Sequence, residues 1–198
     1  MTTLLTQLTS PASYHILAYG TLLGTEVFQS FIAGVQSYRV LPRPQFSALQ
    51  SALFPIYFSM QTALPVALAL TFPGSTHGTQ ISPTTSTTSW AVSHTPGGLV
   101  GVLEPMNRLA VLAPLATIFV TSLVNLVYIG PTTTKVMRDR KHQETRDGKK
   151  SYDNPPHTAE MQELNRRFAT MHGVSSLLNM VGCVATVWYG FYLAGRIN

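Results

Sequence analysis

Four apolar stretches of about 20 residues each restrict this chain to one solvent. They run over residues 14–36, 47–72, 109–129 and 173–194. As a helix, about 20 residues cover roughly 30 Å of hydrocarbon at 1.5 Å per residue. Inside lipid every backbone N–H and C=O needs a partner within the protein, so a spanning segment is a helix or part of a closed barrel. The alternating pattern of a barrel strand is absent. The stretches predict an all-α fold: a four-helix transmembrane bundle with an amphipathic cytosolic helix before the last span. The 198 residues read as a single membrane domain.

Composition agrees. Charged residues make up only 11% of the chain against 45% hydrophobic, whereas soluble domains are about one quarter charged. Residues 1–13 contain no Lys or Arg, so the first stretch lacks the basic start of a cleavable signal and is expected to stay as the first span. The single cysteine, Cys183, rules out an intramolecular disulfide and a Cys-based zinc site. CxxC, GxGxxG, Walker and HExxH motifs are absent.

Net charge is +5, which suits either nucleic acid or an anionic membrane surface. Position decides for the membrane surface. Arg39 and Arg43 lie in the first loop. Lys135, Arg138, Arg140, Lys141, Arg146, Lys149, Lys150, Arg166 and Arg167 lie between spans three and four. Eleven of the 13 basic residues thus fall on one side of a four-span chain. The positive-inside rule makes that side cytosolic and both termini lumenal or extracellular. The partners expected are the lipid bilayer, the anionic lipids of its cytosolic leaflet and a membrane protein, with no nucleic acid. Arg39, Arg43, Lys135, Arg138 and Arg140 are the candidate contacts to lipid phosphate. The compartment expected is the endoplasmic reticulum and secretory pathway or the plasma membrane.

The loops differ in character. Residues 73–98 are rich in Ser, Thr, Pro and Gly and read as a flexible lumenal loop, with O-glycosylation as the alternative. Residues 130–171 form the basic cytosolic loop. Its part 135–154 is expected to be mobile. Thr158 is placed to cap a helix carrying Met161, Leu164, Phe168 and Met171 at helical spacing. That helix either lies on the membrane or extends span four. Pro42 and Pro44 predict an extended Arg43 in a rigid turn. Pro131 predicts the end of span three, with Thr132, Thr133 and Thr134 capping the next segment. Gly20 and Gly24 form a GxxxG expected to pack helices within the chain.

Few polar residues interrupt the spans, and ionisable ones there default to functional candidates. Glu26 lies about 16 Å along its helix from His15, near the midplane. Gln29, Gln61, Asn125, His172, Ser175 and Asn179 complete the set. One reading is a polar core that guides a proton or ion or binds a small ligand. The other is interhelical hydrogen bonding at about 1 kcal/mol per bond. His15 and His172 fall at opposite faces, roughly 30 Å apart, so they cannot share a haem. No cofactor, metal or catalytic residue is expected.

Four pieces of the sequence resemble the family named after transmembrane protein 205, a group of small four-span proteins. They are His15 with Gly20, Gly24, Phe31 and Gly34; LPRPQFSALQSALFPIYF; NLVYIGPTTTKVM; and FATMHGVSSLLNM. Together they touch all four spans. The resemblance implies a four-helix membrane domain of unassigned biochemical activity with a role in membrane traffic or drug and metal resistance. It also implies a distant likeness to copper-resistance and haem-linked membrane bundles. Glu26 and Gly130 depart from the family pattern, where a neutral amide and an acidic residue are common. The expectation is a non-enzymatic, multi-pass membrane protein. The alternative is a small transporter or a metal- or haem-linked redox protein using the intramembrane polar cluster.

Overall fold

The structure, a computed structural model, describes residues 6, 8–80 and 90–197. Among them four helices are long and apolar enough to cross a membrane. Helix α1 runs Pro11–Val40, α2 Arg43–Leu70, α4 Pro105–Asp147 and α5 Ala159–Ile197. A one-turn helix, α3, covers Gly98–Leu103. Neighbours pack in a closed ring, α1 on α2, α2 on α4, α4 on α5 and α5 on α1. The chain alternates direction along that ring, the up-down arrangement of a four-helix bundle. One end carries the start of α1 and the end of α5, and the other carries eleven of the 13 basic residues.

Solvent preference is inverted relative to a soluble bundle. Leu17, Ile56, Leu109, Leu177, Trp188 and Phe191 are exposed, whereas His15, Glu26, Asn125 and Thr186 are fully buried. Apolar side chains outside and polar ones inside is the distribution that hydrocarbon solvent selects. A cluster of buried apolar side chains lies toward the terminal end. There Leu22, Leu68, Phe72, Val102, Val111, Leu115, Ile118 and Tyr189 cluster.

The helix of span three does not end at Pro131. The helix continues to Asp147 because the backbone widens into a π-helical stretch at Asn125–Ile129, and Gly130 donates to Asn125 O five residues back. A Cβ on Gly130 would lie 2.8 Å from that oxygen, so the wider turn needs glycine. A second π-helical stretch, Phe28–Ala33, is likewise followed by Gly34. The threonines after Pro131 do not cap a new helix. Thr132, Thr133 and Thr134 bond back to Tyr128, Ile129 and Gly130 carbonyls at 2.7, 2.7 and 3.0 Å.

The basic loop is therefore built as a helical hairpin. Gly130–Asp147 is charged and projects about 27 Å beyond the apolar span. Gly148, in the left-handed region at φ 61°, stops it. Thr158 caps the return helix, accepting from Met161 N at 3.3 Å while donating to Asp147 at 2.7 Å. The amphipathic segment is one continuous helix with the last span. It packs on Gly130–Asp147 through buried Met161 and through Phe168, whose ring lies 4.5 Å from the Arg140 guanidinium.

The Ser/Thr-rich loop also differs from a plain linker. Ser75–Gln80 and Trp90–Thr95 pair as antiparallel strands β1 and β2, Ser75 opposite Thr95 and Gln80 opposite Trp90. Its segment 81–89 lies outside the described residues. Arg43 is not extended: it starts α2, with Pro44 in the first turn, where a missing N–H is harmless.

Candidate functional site

Polar side chains in the spans gather into two buried networks. The first sits toward the terminal end. His15 is fully buried and uses both ring nitrogens, Nε2 with Tyr189 OH at 2.6 Å and Nδ1 with Thr71 Oγ1 at 3.2 Å. The Phe72 and Tyr189 rings stand edge-on to it. Nearby, Tyr192 donates to Asn107 Oδ1 at 3.0 Å, and Asn107 donates to Gly101 O at 2.7 Å. These bonds tie α1, α2, α3, α4 and α5 together at one end.

The second network crosses the ring diagonally. Gln61 Nε2 of α2 donates to Glu26 Oε1 of α1 at 2.9 Å and to Asn179 Oδ1 of α5 at 3.2 Å. Tyr57 donates to the same Asn179 oxygen at 2.7 Å. Asn179 Nδ2 donates to Ser30 Oγ at 2.9 Å. The Thr186 hydroxyl stands against the Glu26 carboxyl. Next to this set, half-buried Gln29 donates to Gln50 Oε1 at 3.2 Å. Every amide and phenol donor of the central set points at a partner within it, yet Glu26 Oε2 and Gln61 Oε1 are buried with no hydrogen-bond partner. Buried acceptors without partners are uncommon in folded proteins.

A groove of about 320 Å³ opens between α1 and α2, lined by Gly24, Phe28, Gln29, Ile56, Tyr57 and Met60 among others. Tyr57 on its wall belongs to the central network, and Gln29 on its wall lies beside that network.

Of the sequence candidates, Glu26 and Asn179 meet in the central set, and Gln29 lies beside it. Asn125 is a separate element. It donates to the Ser175 backbone carbonyl at 3.2 Å, leaving its own Oδ1 unpaired. Ser175 thus contributes main chain rather than its hydroxyl. His172 is exposed and stacks on Phe168 one turn earlier, with ring centroids 5.8 Å apart, so it does not reach the cluster. Arg39, Arg43, Lys135 and Arg138 are exposed at the basic end. Arg43 lies over the Tyr38 ring at 3.8 Å. Arg140 instead packs inside the helical hairpin. The GxxxG of α1 does not pack helices: a Cβ on Gly20 or Gly24 would meet nothing within 4 Å. Among the described residues no three or more His, Cys, Asp or Glu gather as a metal site.

Sequence reasoning missed Ser30, Gln50, Tyr57, Thr186 and the His15–Tyr189 pair as partners. A signal existed. Gln50, Tyr57 and Gln61 are spaced 7 and 4 apart, and Glu26 and Ser30 are spaced 4 apart, which puts each group on one helical face.

Residues 17–142 match the family described as a domain of unknown function, DUF4149. The chain belongs to the DUF4149 family. This DUF4149 chain is also 30% identical over 184 residues to Xanthocillin biosynthesis cluster protein D of Aspergillus fumigatus, covering 93% of this chain and 89% of that one. No solved structure matches it.

Proposed function

We propose that this DUF4149 protein is non-enzymatic and binds a small solute inside the bilayer, in service of export or resistance. The observation that carries the reading is the diagonal network centred on Glu26. A network built only to hold helices together gains nothing from a fully buried carboxylic residue, which is expensive in a membrane. It gains nothing either from leaving Glu26 Oε2 and Gln61 Oε1 unpartnered. A solute that donates a hydrogen bond to each completes both. The Aspergillus relative is named for a xanthocillin biosynthesis cluster, which supports a role tied to a small molecule. The metal- or haem-linked alternative has no clustered His, Cys, Asp or Glu to rest on among the described residues.

The basic end is read as cytosolic by the positive-inside rule, with both termini lumenal or extracellular and the protein in the secretory or plasma membrane. Exposed Arg39, Arg43, Lys135 and Arg138 then face the anionic headgroups of the cytosolic leaflet, and a membrane-protein partner completes this arrangement.

The test is a drug-sensitivity panel in cells expressing wild type, Glu26→Gln or Asn179→Ala at equal membrane levels. Wild type is expected to lower sensitivity to at least one lipophilic toxin, and both variants to lose that protection. Equal sensitivity in wild-type and variant cells across the panel overturns the reading. So does chemical turnover of any panel compound by purified protein.

A further inference from the structure

We propose that the groove between α1 and α2 is a binding site, entered from the bilayer, for a mostly apolar small molecule ending in one neutral hydroxyl or amide group. The inference rests on the solute-binding reading above and names its ligand class.

Three observations carry it. First, the groove faces lipid. Its rim residues Phe28 and Ile56 are 58% and 60% exposed on a surface that hydrocarbon solvates. Its volume of about 320 Å³ falls at the small end of the range seen for ligand pockets. The space exists because Gly24 has no side chain, and nothing else approaches that position.

Second, the glutamine pair beside the groove is half-satisfied. Gln29 Nε2 donates to Gln50 Oε1, but the reciprocal bond is missing. Gln50 is only 6% exposed, and its Nε2 has no partner. Gln50 lies behind the groove wall, so of the pair only Gln29 lines the groove, and it offers a ligand one acceptor, Gln29 Oε1. Unmet amide groups are costly at membrane depth, where water cannot serve them. A hydroxyl or amide group donates to the Gln29 oxygen. A plain hydrocarbon chain cannot. A charged group is disfavoured, because the lining offers no opposite charge.

Third, the groove is wired to the interior. Tyr57 forms part of its wall and also donates to Asn179 in the Glu26 network. A ligand seated there touches the same side chain that holds the diagonal network, which joins entry from lipid to the solute site.

The experiment uses the full-length protein in nanodiscs and two photoreactive probes of equal length, a diazirine-bearing dodecanol and the matching diazirine alkane. Crosslinks are mapped by mass spectrometry. The alcohol probe is expected to concentrate on groove residues and to be displaced by excess dodecan-1-ol. The alkane is expected to label lipid-facing positions evenly and resist displacement. Gln29→Leu keeps the apolar wall and removes the amide. It should reduce the displaceable alcohol labelling about tenfold, the effect of one hydrogen bond. Gly24→Leu fills the groove and should abolish it. Equal labelling by both probes, or alcohol labelling unchanged by Gln29→Leu, overturns the proposal and leaves the groove as a place for bilayer lipid. Glu26→Gln separates the two claims. It should keep groove labelling while losing toxin protection, so failure of the groove and failure of the solute reading give different results.

Discussion

Glu26 and Gln61, 35 residues apart in sequence, meet at 2.9 Å across the interface of α1 and α2. Gln61 is the hinge of the diagonal network, because its two amide hydrogens reach two different helices. Gln61→Leu removes both bonds and leaves the Glu26 carboxyl with the Thr186 hydroxyl alone. It should destabilise the bundle by about 1–3 kcal/mol, read as a lower midpoint of thermal unfolding in detergent. Glu26→Gln keeps the shape, and its amide can donate to the unpartnered Gln61 oxygen. Its midpoint should equal or exceed that of wild type.

The contact between His15 and Tyr189 closes the other end. Tyr189→Phe leaves the ring packing but removes the hydroxyl, so His15 Nε2 loses its partner at full burial. A loss of about 1–3 kcal/mol is expected. His15→Phe with Tyr189→Phe replaces both polar groups, and the double variant should recover part of that loss. A double variant less stable than the sum of the singles contradicts this account.

Glycines separate into two groups that thermal unfolding can distinguish. Gly130→Ala drives a Cβ against Asn125 O, and Gly190→Ala drives one into the Tyr19 hydroxyl, which donates to the Thr186 carbonyl. Both should lower stability by more than about 1 kcal/mol. Gly20→Ala meets open space and removes the helix penalty of glycine. It should be neutral or stabilising by up to about 1 kcal/mol.

The basic hairpin should loosen in acid. Burial by itself would raise the Glu144 carboxyl, but bonds from the Ser151 hydroxyl and backbone, with Lys150 and Arg140, outweigh it and hold the group below its ordinary value of 4.5. A lowered folded value means stability that is complete above the unfolded value and lost as pH falls through the folded one. Amide hydrogen exchange at Ser151 should therefore stay protected near neutral pH and gain relative rate below about pH 4. Glu144→Gln should remove that acid dependence.

The bundle was legible because its cause is one-dimensional. Span length and polarity are set by local composition against a fixed hydrocarbon thickness, and no long-range contact is needed to read them. Polar partners were less legible, since a hydrogen bond needs facing as well as depth. Asn125, Ser175 and Asn179 looked like one set by depth, yet Asn179 turns toward Tyr57 and Gln61 while Asn125 meets only main chain. His172 shares a helix with Ser175 and Asn179 but points outward, stacked on Phe168.

Sequence alone determined that the chain carries four helices able to cross a bilayer, that most of its basic residues gather at one end and that Glu26 falls inside the first of those helices. Tertiary structure decided which helices are neighbours, that Pro131 is bridged by a π-turn, and that the basic loop folds back on itself. It also decided that the glycine pair of α1 meets no neighbouring helix and that Gly24 borders a groove. The physical reason is that burial depth follows from position along a helix, whereas partner choice follows from rotation about its axis. Side-chain packing against three other helices sets that rotation.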